Sequence, residues 1–439
     1  MARVTIVAHE QVRTRMAAPA IRYVEMARAL AARGHMVTLA VHNDPEVDLG
    51  PVRQLHDESQ ETTAAMQRSD IVIIGGGPYP ETAANCPPPD VARVADMTFP
   101  LLLEGLAMHR VDPAGWSQPR LDAFTTMMSN RLLAADVILC GSAQQRHFYL
   151  GWLAALGRLN AQLIDRDAAA DQLVRIVPFG CPSTAPRNTG HGPRRTIRGI
   201  GADDYLLIWS GHVTDWYDPG TVVEAVMAAA HDIERIRLVF IGADVRDERL
   251  GRTPTGARLR TDAERLDPRG DHIFFWNDWV PYEQRADWLL ESDAAVIASP
   301  RTLEADLAVR ARFLDYVWCA LPLITTAGGT FADAVQQAGL GVVVEPGDVR
   351  SMTQAITHLA SGGVRQRMRE RLDSLRPEHE WDQALRPLFD FCESPALAPD
   401  RGEWMPDPTH EPPKRRVSPA QVIVRRVASR LRDAAGRVA

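Results

Sequence analysis

The stretch from Val4 to Val41 reads VTIVAHEQVRTRMAAPAIRYVEMARALAARGHMVTLAV. Val4 to Ala8 is a short apolar run suited to a buried strand, and the polar segment after it carries Arg13 and Arg15. Ala20 to Arg33 has the composition of a helix, and Gly34 closes it. Thr38 to Val41 is the next strand. Strand, helix and strand in this order make a parallel crossover unit. The pattern recurs down the chain, where Asp70 to Ile74 runs into Gly75 and Gly76, Val91 to Ala95 ends at Asp96, and Asp136 to Leu139 ends at Cys140-Gly141-Ser142. Five or so buried strands, each stopped by glycine or a carboxylate, predict an open doubly wound sheet with a ligand crevice at the strand ends.

This first series finishes with Val174 to Pro178 and Phe179-Gly180, and Pro182 to Arg198 reads as an interdomain linker or exposed loop. A second series follows: Tyr205 to Trp209 with Gly211, Arg237 to Ile241 with Gly242, His272 to Phe275, Ala294 to Ile297, Leu323 to Thr326, and Val342 to Val344. Helices are expected near Thr221 to His231, Tyr282 to Glu291, Val309 to Trp318 and Ser351 to Ser361. The fold class is therefore α/β, with two doubly wound parallel sheets facing across a cleft. No sequence repeat relates the halves.

Composition narrows the chemistry. At 439 residues, 45% hydrophobic and 24% charged, the chain has material for two or three ordinary domains. Lys and Arg number 49 against 56 Asp and Glu, a net charge of −7, so nucleic acid is not an expected partner. The five cysteines are scattered and never in a C-x-x-C pair, which argues against a disulfide framework or a zinc site built on cysteine. Lys414 is the single lysine, so Schiff-base chemistry and a Walker A loop are not expected; phosphate must be held by arginine, helix N-termini or backbone amides. The first residues, MARVTIVAHE, are too short and polar for a secretory core, and no apolar run suits a spanning helix, so a cytoplasmic protein is expected.

Past Cys392 the composition changes, and Pro395 to Pro413 reads as a linker. Ser418-Pro419 then opens a segment with Ile423, Val427, Leu431 and Val438 near helical spacing, among Arg425, Arg426, Arg430, Arg432 and Arg437. Such a basic amphipathic helix can lie on anionic lipid, with residues 414–438 as the contact, or remain a solvated or partner-docked tail.

The first loop contains no G-x-G-x-x-G, so a dehydrogenase dinucleotide site is poorly supported. In the second half the segment Pro300 to Gly329 runs PRTLEADLAVRARFLDYVWCALPLITTAGG. A helix starting near Leu307 would present its amides with Arg310 and Arg312 to the cleft as a diphosphate site, and a carboxylate such as Glu304 could orient a sugar hydroxyl. The alternative is a solvated ion-pair helix. His212 can bond phosphate or be structural, and Asp96 can orient a hydroxyl or cap a helix. Trp216, Tyr217, Trp276 and Trp279 can stack on a base or sugar or serve as core. Arg13, Arg15 and Arg22 can receive a phosphorylated acceptor or serve the surface.

LDYVWCALPLITTAGG resembles the donor-site signature of the retaining glycosyltransferases of family 4, which have the GT-B fold. It is more similar still to a bacterial polysaccharide-biosynthesis branch reading E-T-R-F-S-x-R-T-R-x-L-D-Y, which Glu304, Arg310, Arg312, Leu314, Asp315 and Tyr316 match. IWSGHVTDWYDP (Ile208 to Pro219), NDWVPYEQRADWLLESDAAV (Asn277 to Val296), VPFG (Val177 to Gly180), AAPAIRYVEMARALAARGH (Ala17 to His35) and EWDQAL (Glu380 to Leu385) extend the likeness over roughly residues 1 to 390.

The resemblance implies a retaining, metal-independent transfer of a sugar from a nucleotide-sugar donor to an acceptor hydroxyl, without a cofactor. Asp96, Glu304 and Arg310 would be catalytic. Gly211, His212, Trp216, Tyr217, Asp218, Arg312, Asp315 and Tyr316 would bind the donor, and Arg13, Arg15 and Arg22 a lipid-linked or glycan acceptor. The implied division is an acceptor-side domain 1–185, a nucleotide-sugar domain 186–375, a C-terminal helix 376–393 crossing back to the first, a Pro-rich linker 394–417 and a basic helix 418–439.

The sequence departs from the pattern in three places. His212 and Tyr217 stand where many members carry Arg and Lys, the usual first Glu of the paired carboxylates falls on Leu307, and the histidine often ending a strand of the first domain is absent near Asp96. The alternative reading is accordingly a non-catalytic GT-B subunit that binds nucleotide-sugar or acts as a scaffold.

Overall fold

The computed structural model describes residues 1–76, 87–243, 253–276 and 278–401. The first half forms β1 (Arg3–His9), β2 (Met36–Val41), β3 (Arg53–His56), β4 (Ile71–Gly76), β5 (Ala92–Asp96), β6 (Val137–Cys140) and β7 (Val174–Ile176). They make one parallel sheet in the order β3-β2-β1-β4-β5-β6-β7, with helices as the crossovers. The inner strands are mostly apolar because both faces are covered, with Thr5, Arg93 and Asp96 as buried polar exceptions. β3, sequence RQLH, is the edge strand, and its side chains reach solvent.

The second half forms β8 (Tyr205–Ser210), β9 (Ile236–Ile241), β10 (Ile273–Trp276), β11 (Ala294–Ile297), β12 (Leu323–Thr326) and β13 (Gly341–Val344). This sheet is also parallel, ordered β10-β9-β8-β11-β12-β13. Both sheets therefore grow outward from their first strand and then reverse past it, the doubly wound order whose crevice opens at the strand C-termini. The topology repeats although the sequence does not.

The halves touch directly. Gln145 donates to the Leu307 carbonyl at 2.8 Å, Tyr282 N–H to Thr14 at 2.8 Å, and Arg15 to Asp278 at 2.8 Å. The segment 182–198 between them is fastened to the second half: Thr189 and His191 bond the Asp287 carboxylate, and Arg194 reaches Glu291 and Asp293.

The chain then returns to the first sheet. In a parallel bridge with Glu380, the Cys181 amide donates to the His379 carbonyl and the Cys181 carbonyl accepts from the Trp381 amide; Arg175 donates to the Pro387 carbonyl, and the helix Arg386–Glu393 buries Leu388, Phe389, Phe391 and Cys392. Where a linker is expected from residue 394, the first residues are docked instead. Arg158 and Asp400 form a buried pair at 3.0 Å, and Arg401 and the Ala398 amide both bond Asp136. The rest of that linker and the basic segment 418–439 lie outside the described residues. Among the described residues no helix is long and apolar enough to cross a membrane.

Two expected helices take a different form. Tyr282–Gln284 is a turn of 3-10 helix leading into Arg285–Leu290. The helix expected over Val309 to Trp318 starts at Arg312, because a separate short helix, Leu303–Leu307, ends just before it and the chain changes direction through residues 308–311.

Candidate functional site

β8 and β9 lie side by side, and each ends on a glycine with positive φ, Gly211 at 105° and Gly242 at 72°. Neither position has room for a side chain. A Cβ on Gly211 would lie 2.9 Å from Arg312 Nη2, and one on Gly242 would lie 2.8 Å from Trp279 Nε1 and 3.7 Å from the Gly211 backbone. Two glycines thus floor a small region flanked by a guanidinium and an indole N–H. Arg312 Nη1 and Trp279 Nε1 are both buried without a hydrogen-bond partner among the described residues. Paired donors left unsatisfied at strand ends suit an anionic ligand.

The loop after Gly211 is held from below. Thr253 donates to the Val213 carbonyl at 2.7 Å, Asp215 accepts from the Thr255 amide at 3.0 Å, and Asp218 caps the helix Pro219–Ala229 by accepting from Thr221. Asp218 is thus committed to that helix N-terminus. Trp216 and Tyr217 are half-buried, and the Tyr217 ring packs edge-on against Trp209 at 5.5 Å. Arg310 and Arg312 approach the Tyr217 ring at 5.0 and 4.8 Å. The His212 carbonyl accepts from Arg312 at 3.5 Å.

Glu304 and Arg310 form a bidentate pair, 2.7 and 2.9 Å, and Arg310 also donates to Ser299 at 3.1 Å. Both are buried. Burial alone would weaken the protonated guanidinium, but Tyr217 and Glu304 hold Arg310 charged, above the ordinary arginine range. Across the cleft stands Glu104, on the helix Leu101–His109 that packs against Leu303–Leu307. Burial pushes its carboxyl up to about 8, the Glu304 charge adds to the rise, and Arg310 opposes it. A carboxyl titrating near neutrality in a cleft can hold or release a proton. Sequence reasoning missed it, since LLLEGLAMH reads as a helix with one stray acid.

Several expected site residues are engaged elsewhere. Tyr316 is fully buried, and its hydroxyl bonds Ser210 at 2.7 Å; burial raises it to about 12. It underpins the end of β8 and cannot touch a donor in this arrangement. Asp315 accepts from Arg285 at 2.8 Å, with that guanidinium 3.7 Å over Tyr282 and 4.5 Å over Trp318.

Asp96 and Arg22, expected as a catalytic carboxylate and an acceptor ligand, instead bond each other at 2.6 Å. Arg22 is 0% exposed and spends its remaining N–H groups on the Val177 and Pro178 carbonyls, while Asp96 also accepts from Thr98. The pair ties the helix Ala18–Ala32 to the end of β5 and is structural. Arg13 and Arg15 are exposed, and Arg15 is paired with Asp278. Among the described residues, the His, Cys, Asp and Glu side chains close enough to share an ion lie elsewhere, at the ends of β1 to β3.

Comparisons with known proteins agree with this layout. Residues 205–361 match the sequence model of a family described as glycosyl transferases group 1. No curated protein matches the sequence. Among solved structures, the chain is similar to Anabaena HepE in complex with UDP-glucose at 9% identity and a TM-score of 0.62, covering 90% of this chain and 100% of that one. The glycosyltransferase WaaG, involved in lipopolysaccharide biosynthesis, aligns at 13% identity and 0.57, covering 90% and 100%. An α,α-trehalose 6-phosphate synthase from Burkholderia multivorans aligns at 15% and 0.59, covering 90% and 99%. At these identities the likeness concerns the fold. The chain therefore has the GT-B fold, and the stretch that forms its second sheet is similar to the glycosyl transferases group 1 model.

Proposed function

We propose that the protein is a retaining glycosyltransferase that needs no metal for the transfer and moves a sugar from a nucleotide-sugar to an acceptor hydroxyl, in assembly of a bacterial surface polysaccharide or glycolipid. The observation that carries this reading is the glycine-floored region at the ends of β8 and β9, where Arg312 and Trp279 hold buried donors without partners. A diphosphate there would satisfy both, and the cation would stabilise charge developing on the leaving group. Arg310 adds a second fixed positive charge beside Tyr217. The UDP-glucose complex of HepE supports a donor of the nucleoside diphosphate sugar class; UDP-, GDP- and dTDP-sugars all fit the chemistry. Glu304 orients Arg310 and would reach the donor sugar only on releasing it. Glu104, across the cleft, is the carboxyl available to the acceptor side.

The stereochemical outcome tests the proposal. With a hydrolysable donor and a soluble acceptor, NMR of the first product formed should show the donor's anomeric configuration retained; an inverted product contradicts it. A second reading, a subunit that binds nucleotide-sugar without turning it over, is favoured by the mutual commitment of Asp96 with Arg22 and of Glu304 with Arg310. Donor binding with no diphosphate release under any acceptor would establish that reading instead.

A further inference from the structure

β3, β2 and β1 are neighbours at one edge of the first sheet, and each C-terminal end delivers an imidazole. His9 is the last residue of β1, His42 follows β2, and His56 is the last residue of β3, with Asp57 next. The Asp57 side chain is 0% exposed and sits among the three rings. Its Oδ2 lies 2.6 Å from His9 Nδ1, and its Oδ1 lies 3.6 Å from His42 Nδ1 and 3.4 Å from His56 Nδ1. The His9 and His42 rings are 5.2 Å apart, and those of His42 and His56 are 5.6 Å apart.

Despite its burial, Asp57 Oδ1 has no hydrogen-bond partner among the described residues. An unpaired buried carboxylate oxygen is costly, and a structural carboxylate would ordinarily have its acceptor capacity filled by backbone amides.

We propose that His9, His42 and Asp57 bind a single divalent transition-metal ion of the zinc class at this sheet edge. Each offers one donor atom, and the three lie within 4.8 Å of one another. Around a tetrahedral zinc with bonds of about 2.0–2.2 Å, ligand atoms sit about 3.4 Å apart, so closure needs a shift of roughly 1 Å or more. His42, whose side chain is 45% exposed, is free to make it. Imidazole with a carboxylate selects zinc, nickel or copper over magnesium or calcium. An ion at His9 Nδ1 takes the place of the hydrogen bond to Asp57, and the ring keeps its one proton on Nε2.

His56 Nδ1 accepts from the Glu58 amide at 3.3 Å, so His56 stays beside the site and water completes the shell. This centre is built on the first sheet, whereas the donor region stands at the ends of β8 and β9. It would fasten three strand ends where the loop carrying Thr14 and Arg15 leaves β1.

Isothermal titration of EDTA-treated, dialysed full-length protein with zinc chloride tests the site. The proposal expects saturation at one equivalent and a four-coordinate visible spectrum when cobalt(II) replaces zinc. His42→Ala removes a half-exposed ring and should weaken binding at least tenfold while the metal-free protein keeps its melting temperature. His9→Gln gives the same readout should His42→Ala fail to fold. No saturable uptake, or an affinity in the variant within tenfold of the parent, overturns the proposal and leaves any bound zinc to others of the 13 histidines.

Discussion

Arg312 keeps a buried Nη1 without a partner among the described residues, and its hydrogen bond to His212 is long at 3.5 Å. Truncating it removes a buried, partly unsatisfied donor at the loss of the ring contact with Tyr217 and the long bond to His212, so Arg312→Ala should change the melting temperature little. Diphosphate release should fall on the order of a hundredfold. Glu304 is the opposite case. Glu304→Ala strands the Arg310 charge in a buried site and should cost about 3–5 kcal/mol in denaturant unfolding, apart from any loss of activity.

Glu104 gives a pH signature. Its folded carboxyl lies at about 8, above the ordinary 4.5, so the folded state holds a proton that the unfolded chain has lost. Its contribution is complete below about 4.5 and is lost as pH rises through about 8. Melting curves of the parent should fall across that window, and Glu104→Gln should flatten the fall. A parallel pair of curves would remove Glu104 from the cleft's proton economy.

At the scale of elements, the return of the chain to the first sheet depends on Gly180. A Cβ there would lie 2.6 Å from Trp381 Cα and 2.8 Å from its amide nitrogen, both backbone atoms that cannot swing aside. Gly180→Ala should therefore destabilise by about 2 kcal/mol in urea unfolding by forcing the two backbones apart.

The inner strands were legible from sequence because burial on both faces demands mostly apolar runs, and several, such as β4, β5, β8 and β9, end at a glycine or carboxylate by the crevice. β3 was not, since an edge strand reading RQLH has no such requirement. Nor was the break between Leu307 and Arg312, where good helix formers on both sides conceal a turn that packing imposes. The glycine pair at β8 and β9 was visible as punctuation. The pairing of Arg22 with Asp96, from elements far apart in sequence, depends on tertiary packing that local pattern does not encode. For the same reason the Tyr316 hydroxyl reads as a ligand in the motif and proves to be a brace for Ser210.

At the scale of the whole molecule, two sheets of the same strand order face each other, and the second lies in the stretch that matches the glycosyl transferases group 1 model. The basic segment 414–438 is proposed to hold the protein at an anionic inner leaflet. Deleting residues after Pro413 should release it from anionic vesicles in a sedimentation assay while turnover of a soluble acceptor persists; unchanged sedimentation would assign vesicle binding to the body of the protein.

The ends of β8 and β9 are proposed to bind a nucleotide-sugar for metal-independent transfer. The direct measurement offers a panel of nucleotide-sugars to the full-length protein in EDTA and records thermal shift against the same buffer, together with nucleoside diphosphate release. One base should stabilise the protein and its diphosphate should be released; no stabilisation by any donor, or release that requires an added divalent cation, would contradict donor binding and metal-independent transfer at these strand ends.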